Sequence, residues 1–142
     1  MINLFFEDVE VPGLDSEFFA SWLSRVCAFE DRSLNEVNLI FCSDEHLLEM
    51  NRTHLDHDYY TDIITFDYCE DDLITGDLFI SIDRVEENAS NESVSFTNEL
   101  NRVVVHGVLH LIGYKDKSEE EERVMRAKED WALGLIVSRE TL

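Results

Sequence analysis

Two histidines four residues apart, His106 and His110, lie in an apolar stretch with the periodicity of an α-helix. Residues four apart on a helix have Cβ atoms about 5–6 Å apart on one face, which suits two imidazoles that bind one metal ion. Gly113 predicts the end of the helix, because glycine readily takes the left-handed conformation of a C-terminal cap. Asp116 then becomes a third ligand after the turn. Two histidines and one carboxylate leave a position open for water, which is typical of a catalytic metal site.

The residue after the first histidine separates this pattern from that of the zinc peptidases. Their H-E-x-x-H helix carries a glutamate there as general base, whereas this chain has Gly107. A bound metal ion lowers the pKa of its water toward about 7 without such a base, so hydrolysis of another substrate stays possible. Glycine also predicts close contact with a neighbouring element, which we expect to be the sheet. A lone histidine here would be taken as a core residue, but two in register with a carboxylate beyond favour a metal site.

Two other polar clusters have simpler explanations. His54 and Asp58 also stand four residues apart, at the end of a predicted helix, with His57 between them. They could pair or bind an ion, but exposed polar residues at a helix exit are the preferred interpretation. The acidic run at residues 119–122 is predicted to open the last helix, where negative charge interacts favourably with the helix dipole.

The pattern of apolar residues predicts strands and helices in mixed order. The predicted strands are residues 2–7, 38–42, 62–68 and 73–82, the last interrupted at Gly76. The predicted helices are residues 15–30, 43–55, 83–88, 96–112 and a last one that begins near residue 118. These elements indicate an α+β fold: a small mixed β-sheet of about four strands with packed helices, the metal-binding helix lying near the C-terminal end. We expect one domain, residues 1–142.

The last helix carries the clearest start signal in the chain. Ser118 and Glu121 form a capping-box pair, in which each side chain bonds to the backbone of the other. The apolar face of this helix is predicted from helical spacing to consist of Val124, Ala127, Trp131 and Leu135.

The composition bounds the compartment and the partners. A chain of 142 residues with 44% hydrophobic content is long enough for a core without disulfides or metals. It has no apolar run long enough to predict a membrane span, and its first residues lack the basic region of a signal peptide. Its three cysteines form no CxxC pair, and we predict a cytoplasmic location. The formal net charge of −21 disfavours general binding of polyanions, and no DNA partner is expected.

Three segments of the chain together resemble a known family. Residues 106–116, with the sequence HGVLHLIGYKD, resemble the signature H-G-x-L-H-L-x-G-Y-D-H of the YbeY family of endoribonucleases. The sequence TDIITF at residues 61–66, which follows Met50-Asn51, is similar to the family's L-N…T-D-V-L-S-F segment. The sequence GDLFIS at residues 76–81 is similar to its G-D-I-x-I-S strand. The segments come in the family's order, so the resemblance covers nearly the whole domain.

The resemblance implies a specific activity. His106, His110 and Asp116 would bind one metal ion, generally zinc in the family, with Mn²⁺ or Fe²⁺ as alternatives because aspartate offers an oxygen ligand. A metal-bound water would cut single-stranded RNA in the maturation of the 3′ end of 16S rRNA and in ribosome quality control. The implied partners are rRNA and a ribosomal subunit or ribosomal protein. No membrane partner is implied.

The chain departs from the family pattern at two positions. Asp116 replaces the third histidine of the signature, and Leu55 stands where the family has an arginine. A cation should help stabilise charge on a phosphoryl group in the transition state. Arg52, Arg84 and Arg102 are the candidates to replace it, and Arg102 lies one helical turn before the first histidine.

Three alternatives to the nuclease remain at this point. The first is a ribosome-associated assembly factor with a structural metal and little or no catalysis, which the net charge and Leu55 favour. The second is a hydrolase of smaller substrates, such as a peptidase, which Gly107 disfavours. The third is an Fe²⁺ oxygenase with two histidines and one carboxylate, whose ligands usually lie on strands of a β-barrel.

Overall fold

The computed structural model describes the backbone of residues 1–140 and the side chains of residues 1–136. The strands are β1 (Ile2–Phe6), β2 (Ser33–Cys42), β3 (Ile63–Asp67) and β4 (Leu73–Ser81). The helices are α1 (Ser16–Phe29), α2 (Asp44–Leu55), α3 (Ile82–Glu92), α4 (Phe96–Ile112) and α5 (Glu119–Glu140).

The four strands form one mixed sheet in the order β1-β2-β4-β3. β1, β2 and β4 are parallel, and β3 pairs antiparallel with β4 at the edge. The predicted α+β class with a small mixed sheet is therefore confirmed. β2 begins five residues earlier than predicted, at Ser33, because its polar first half is held by pairing with β4 and not by apolar alternation. α3 is longer than predicted and runs to Glu92.

α4 forms the centre of the core against the sheet. A Cβ on Gly107 would lie 2.7 Å from Ile63 Cδ1 and 2.8 Å from Leu78 Cδ1, so any larger residue here would force these side chains of the sheet to shift. The predicted close contact at this glycine is confirmed. The predicted break of the last strand at Gly76 is wrong, since β4 is continuous there. A Cβ on Gly76 would lie 2.6 Å from the carbonyl oxygen of Phe66, so this glycine serves close packing and not a break.

α5 begins as predicted but turns a different face to the core. The backbone nitrogen of Ser118 donates to Glu121 Oε1, and that of Glu121 donates to Ser118 Oγ, each at 3.1 Å. Among residues 119–136 of this helix, the buried ones are Met125, Glu129, Ala132 and Leu133. The predicted stripe of Val124, Ala127, Trp131 and Leu135 is thus wrong as the main buried face, and Ala127 is exposed. The buried face includes a charged residue, Glu129, and therefore lacks the continuous apolar pattern that the prediction relied on.

Within the part of the chain that the structure describes, no helix has the length and apolarity that crossing a membrane requires.

Candidate metal centre and the adjoining groove

Three side chains converge at the C-terminal half of α4. His106 Nε2 and His110 Nε2 lie 3.0 Å apart, and Asp116 Oδ2 lies 3.2 Å from the first and 3.3 Å from the second. A tetrahedral zinc ion with ligand bonds of about 2.0–2.1 Å separates its donor atoms by about 3.3 Å. The donor triangle therefore fits one face of a tetrahedron, and these side chains could hold one metal ion.

An acceptor orients the outer nitrogen of each imidazole. His106 Nδ1 lies 2.7 Å from Glu129 Oε2, and His110 Nδ1 lies 2.9 Å from the carbonyl oxygen of Tyr114. A carbonyl or an ionised carboxylate only accepts, so each Nδ1 is the nitrogen that donates. In the neutral rings, both Nε2 lone pairs then face each other and the carboxylate of Asp116. A cation at their centre would satisfy all three donor atoms, as in metal sites whose histidines are held by outer acceptors.

The turn after α4 delivers two of these groups. Gly113 has φ +128°, and its backbone nitrogen donates to the carbonyls of Leu109 and His110. The predicted end of the helix at Gly113 is confirmed. The chain then folds back, so that the Tyr114 carbonyl meets His110 and the Asp116 carboxylate meets both histidines. One glycine therefore positions both a ligand and the acceptor that orients another ligand.

Glu129 links the metal centre to a buried ion pair. Its carboxylate is 4% exposed and accepts from His106 through Oε2 and from Arg102 Nη1 through Oε1 at 2.9 Å. Arg102 Nη2 also donates to Asp130 at 2.7 Å. Because both oxygens of Glu129 are engaged, the orientation of the His106 ring is fixed by a carboxylate that is itself fixed.

Burial and charge shift the pKa of two groups at the site. Burial alone would lower the pKa of His106, but the hydrogen bond and negative charge of Glu129 outweigh it and raise that pKa above its usual value. Burial raises the pKa of Asp62, and the charge of His106 opposes this shift. Asp62 precedes β3 and accepts from Asn88 Nδ2 at 3.4 Å. The site thus holds a carboxyl group with more than ordinary affinity for a proton.

Two cavities meet at the histidine cluster. The first, of about 360 Å³, lies between α4 and α5 and is bordered by Asp62, Glu99, Arg102 and Glu129. The second, of about 560 Å³, is an open groove along β3 that reaches His106, His110 and Asp116. Its other lining residues are Asn51, Leu55, His57, Tyr59, Thr61, Asp62, Ile63, Ile64, Thr65, Asp67 and Lys117. We call this second cavity the β3 groove.

The structure places the other predicted candidates away from the histidine cluster or in ion pairs. Arg84 donates from Nε to both carboxylate oxygens of Asp44 at 3.0 Å. Arg52 pairs with Asp58, the residue that could have paired with His54. The three arginine candidates, Arg52, Arg84 and Arg102, are thus each paired with carboxylates. Leu55 lies on the wall of the β3 groove and is 41% exposed.

Two residues at the site were not predicted as site residues. Glu129 lies on a helix that looks exposed in the sequence, where a glutamate carries no signal of its own. The available signal was spacing: Met125, Glu129 and Ala132 lie at intervals of four and three residues, so Glu129 falls on the buried face. Asp62 opens the predicted strand of residues 62–68, and its position there gives no indication that it borders His106.

Known proteins match this chain over most of its length. The family model described as Endoribonuclease YbeY matches residues 7–136. A protein named Endoribonuclease YbeY from Cytophaga hutchinsonii is 52% identical over 135 residues, which cover 94% of each chain. A protein of the same name from Porphyromonas gingivalis is 45% identical over 141 residues, which cover 99% of this chain and 92% of the relative.

A solved structure has the same fold. The solution structure of TM1509 from Thermotoga maritima superimposes with a TM-score of 0.65 at 31% identity. The superposition covers 98% of this chain and 93% of that one. By the family match and by these relatives, the chain belongs to the YbeY family.

Proposed function

We propose that this chain is a metal-dependent endoribonuclease that cuts single-stranded RNA. The observation that carries the proposal is the donor triangle of His106, His110 and Asp116, with both imidazole lone pairs turned toward its centre. The names of the relatives, endoribonucleases, support RNA as the substrate. We further propose that residues 1–142 act as one domain in the cytoplasm, in maturation of the 3′ end of 16S rRNA and in ribosome quality control.

The donor set suits one ion per chain, and we propose zinc. Two imidazole nitrogens and one carboxylate oxygen are ligands that zinc accepts in catalytic sites, and the oxygen also suits Mn²⁺ or Fe²⁺. When bound, the ion would polarise a phosphoryl oxygen and make a water molecule more acidic. Glu129 and the Tyr114 carbonyl hold the two rings so that their Nε2 atoms stay free for it.

We assign the proton acceptor to Asp62. Three carboxylates line the β3 groove: Asp62, Asp67 and Asp116. Asp116 faces the histidines, and Asp67 is exposed and accepts from the backbone of Cys69. Asp62 borders His106 from both cavities. A carboxylate at this position can take the proton of the attacking water, since general bases act from within hydrogen-bond reach.

Two residues are candidates for the role of the family's arginine, whose position is occupied by Leu55 in this chain. Arg84 and Arg102 remain the predicted cations for the transition state, although both are paired with carboxylates. The contacts of Arg102 support a positioning role instead, because it fixes Glu129, which fixes His106.

We propose that rRNA approaches together with a ribosomal subunit or ribosomal protein, whose basic surface would be attracted by the net charge of −21.

The same pairing of arginines favours a second candidate function. An assembly factor on the ribosome needs no free cation near a phosphoryl group, and its metal would serve only to hold the end of α4. This alternative predicts ribosome association and metal-dependent stability without RNA turnover.

RNA cleavage by chelator-stripped protein would test the proposal. Zn²⁺, Mn²⁺ or Fe²⁺ is added back, and cleavage of an end-labelled single strand is compared with that of the same strand in a duplex. We expect cleavage of the single strand only, restored by at least one ion. His106→Ala protein, purified in parallel, should show none, which controls for contaminating nucleases. Metal binding without cleavage would favour the assembly factor, and equal cleavage by the His106→Ala protein would overturn the nuclease proposal.

A further inference from the structure

The β3 groove is a poor binding site for phosphates. Its charged lining residues are three carboxylates, those of Asp62, Asp67 and Asp116, and a single lysine, Lys117, apart from histidines. Leu55 adds an apolar surface to the same wall. Single-stranded RNA that reaches the metal centre through this groove therefore needs a contact other than phosphate pairing. This inference rests on the proposed ribonuclease function.

Aromatic rings at the groove offer such a contact. The rings of His57 and Tyr59 are stacked, with centroids 5.1 Å apart and an angle of 22° between their planes. The Tyr59 hydroxyl and His57 Nδ1 are joined by a hydrogen bond of 3.0 Å. Both residues line the groove, and Tyr59 is 56% exposed. A planar, exposed ring beside a catalytic centre is a surface on which a base can stack.

The loop that carries these rings is held in place. Asn51 is only 1% exposed, and its backbone carbonyl oxygen accepts a hydrogen bond of 3.0 Å from the backbone nitrogen of His57. Its side-chain nitrogen donates to the carbonyl oxygen of Tyr59 at 2.9 Å. Between them, Asp58 pairs with Arg52. The loop is therefore ordered before any ligand arrives, which reduces the entropy lost on binding.

We propose that Tyr59, supported by His57, is a stacking platform for an unpaired nucleobase of the RNA substrate. Every base has a π-face, so such a platform binds RNA with little sequence preference. It requires a base that is free of its partner, and it would therefore select single strands. Affinity would come from stacking more than from charge, which suits a groove with one lysine.

Fluorescence polarisation with a short single-stranded oligoribonucleotide tests this proposal. The probe is 2′-O-methylated with phosphorothioate links so that it is not cut, and the protein is metal-loaded. Tyr59→Ala should raise the dissociation constant by roughly 5- to 150-fold, whereas Tyr59→Phe, which keeps the ring, should change it by no more than about twofold. Tyr68→Ala is the matched control, because Tyr68 is also 56% exposed but does not line the groove.

Probes with one abasic position provide a second readout that a purely structural role would not affect. At one position, removal of the base should weaken binding to the wild-type protein but not further weaken binding to Tyr59→Ala, because the two changes remove the same contact. The salt dependence should be shallow, with a logarithmic slope of about −0.7 if Lys117 alone pairs with a phosphate.

Failure of this proposal is distinguishable from failure of the proposed function. If the wild-type protein cuts RNA but Tyr59→Ala binds the probe as tightly as Tyr68→Ala does, the stacking platform is refuted and the nuclease stands. If the wild-type protein neither binds the probe nor cuts RNA, the nuclease proposal fails and the platform fails with it. Unchanged thermal unfolding of Tyr59→Ala would show that weaker binding does not come from misfolding.

Discussion

Two pairs of potential ligands in this molecule have the same spacing and different structures. His106 and His110 stand four residues apart within α4, and their Nε2 atoms lie 3.0 Å apart. His54 and Asp58 also stand four apart, but α2 ends at Leu55, and Asp58 pairs with Arg52 instead. The first pair is partly buried, whereas the second is exposed.

The comparison shows what a metal centre needs beyond spacing. A continuous helix brings two side chains onto one face, which the second pair lacks because its helix has already ended. Acceptors on the outer nitrogens then turn the rings toward a common point, and the first pair has them in Glu129 and the Tyr114 carbonyl. Proximity comes from local structure, whereas the direction of the His106 ring comes from Glu129, 23 residues away in sequence.

The largest expected effect comes from removing one member of each pair. His110→Ala should lose the metal ion, about one per chain, and lower RNA cleavage by roughly 100-fold or more, since it removes a ligand outright. His54→Ala should leave both unchanged. Elemental analysis and cleavage assays on the two variants measure this. Equal metal content in both variants would show that the donor triangle does not hold the ion.

The second-largest expected effect distinguishes the residue that orients His106 from the residues that bind the metal ion. Glu129→Gln keeps the shape of the side chain but removes the charge that holds His106, and it should weaken zinc binding by about 10- to 100-fold. Asp130→Asn is the control, because Asp130 contacts the same arginine from an exposed position, where an ion pair contributes about 0–1 kcal/mol. Competition with a zinc-binding dye gives both affinities. Indistinguishable affinities would contradict the role of the outer acceptor.

A third prediction concerns the glycine between the two histidines. Gly107→Ala would place a Cβ within 3 Å of the side chains of Ile63 and Leu78, and should lower the free energy of unfolding by about 1–3 kcal/mol. Gly134→Ala, also in a helix but with open space around it, should raise this free energy by roughly 0.5–1 kcal/mol. Urea unfolding of both variants measures the difference. A stabilised Gly107→Ala protein would contradict the tight contact with the sheet.

The smallest expected effect concerns Glu99, which is buried like Glu129 but does not contact His106. Glu99 is 7% exposed, and its side chain makes neither a hydrogen bond nor an ion pair within residues 1–136. Burial raises its pKa above 4.5, so its contribution to stability is present below that pH and is lost as the pH rises through the folded-state value. Glu99→Gln should thus stabilise the metal-free protein at neutral pH, by less than about 1 kcal/mol, and not at acid pH. Destabilisation at neutral pH, measured by thermal unfolding, would contradict this.

Local signals in the sequence accounted for the positions of most elements. The capping pair of Ser118 and Glu121 and the terminating Gly113 were both correctly predicted, because caps depend on neighbours within a few residues. The histidine pair was predicted for the same reason. Gly76 was misinterpreted, since a glycine that breaks a strand and one that admits a close neighbour look alike until that neighbour, the Phe66 carbonyl, is placed.

The sequence by itself determined the family, the helix that carries His106 and His110, and the turn that returns Asp116, since all of these depend on short-range pattern. Only the tertiary structure decided that Glu129, 23 residues from His106, orients its ring, and that the loop with Tyr59 lines the same groove as the metal centre. The physical reason is that hydrogen-bond partners and shared cavities depend on how helices pack. Glutamate and tyrosine at exposed-looking positions carry no periodic signal of that packing.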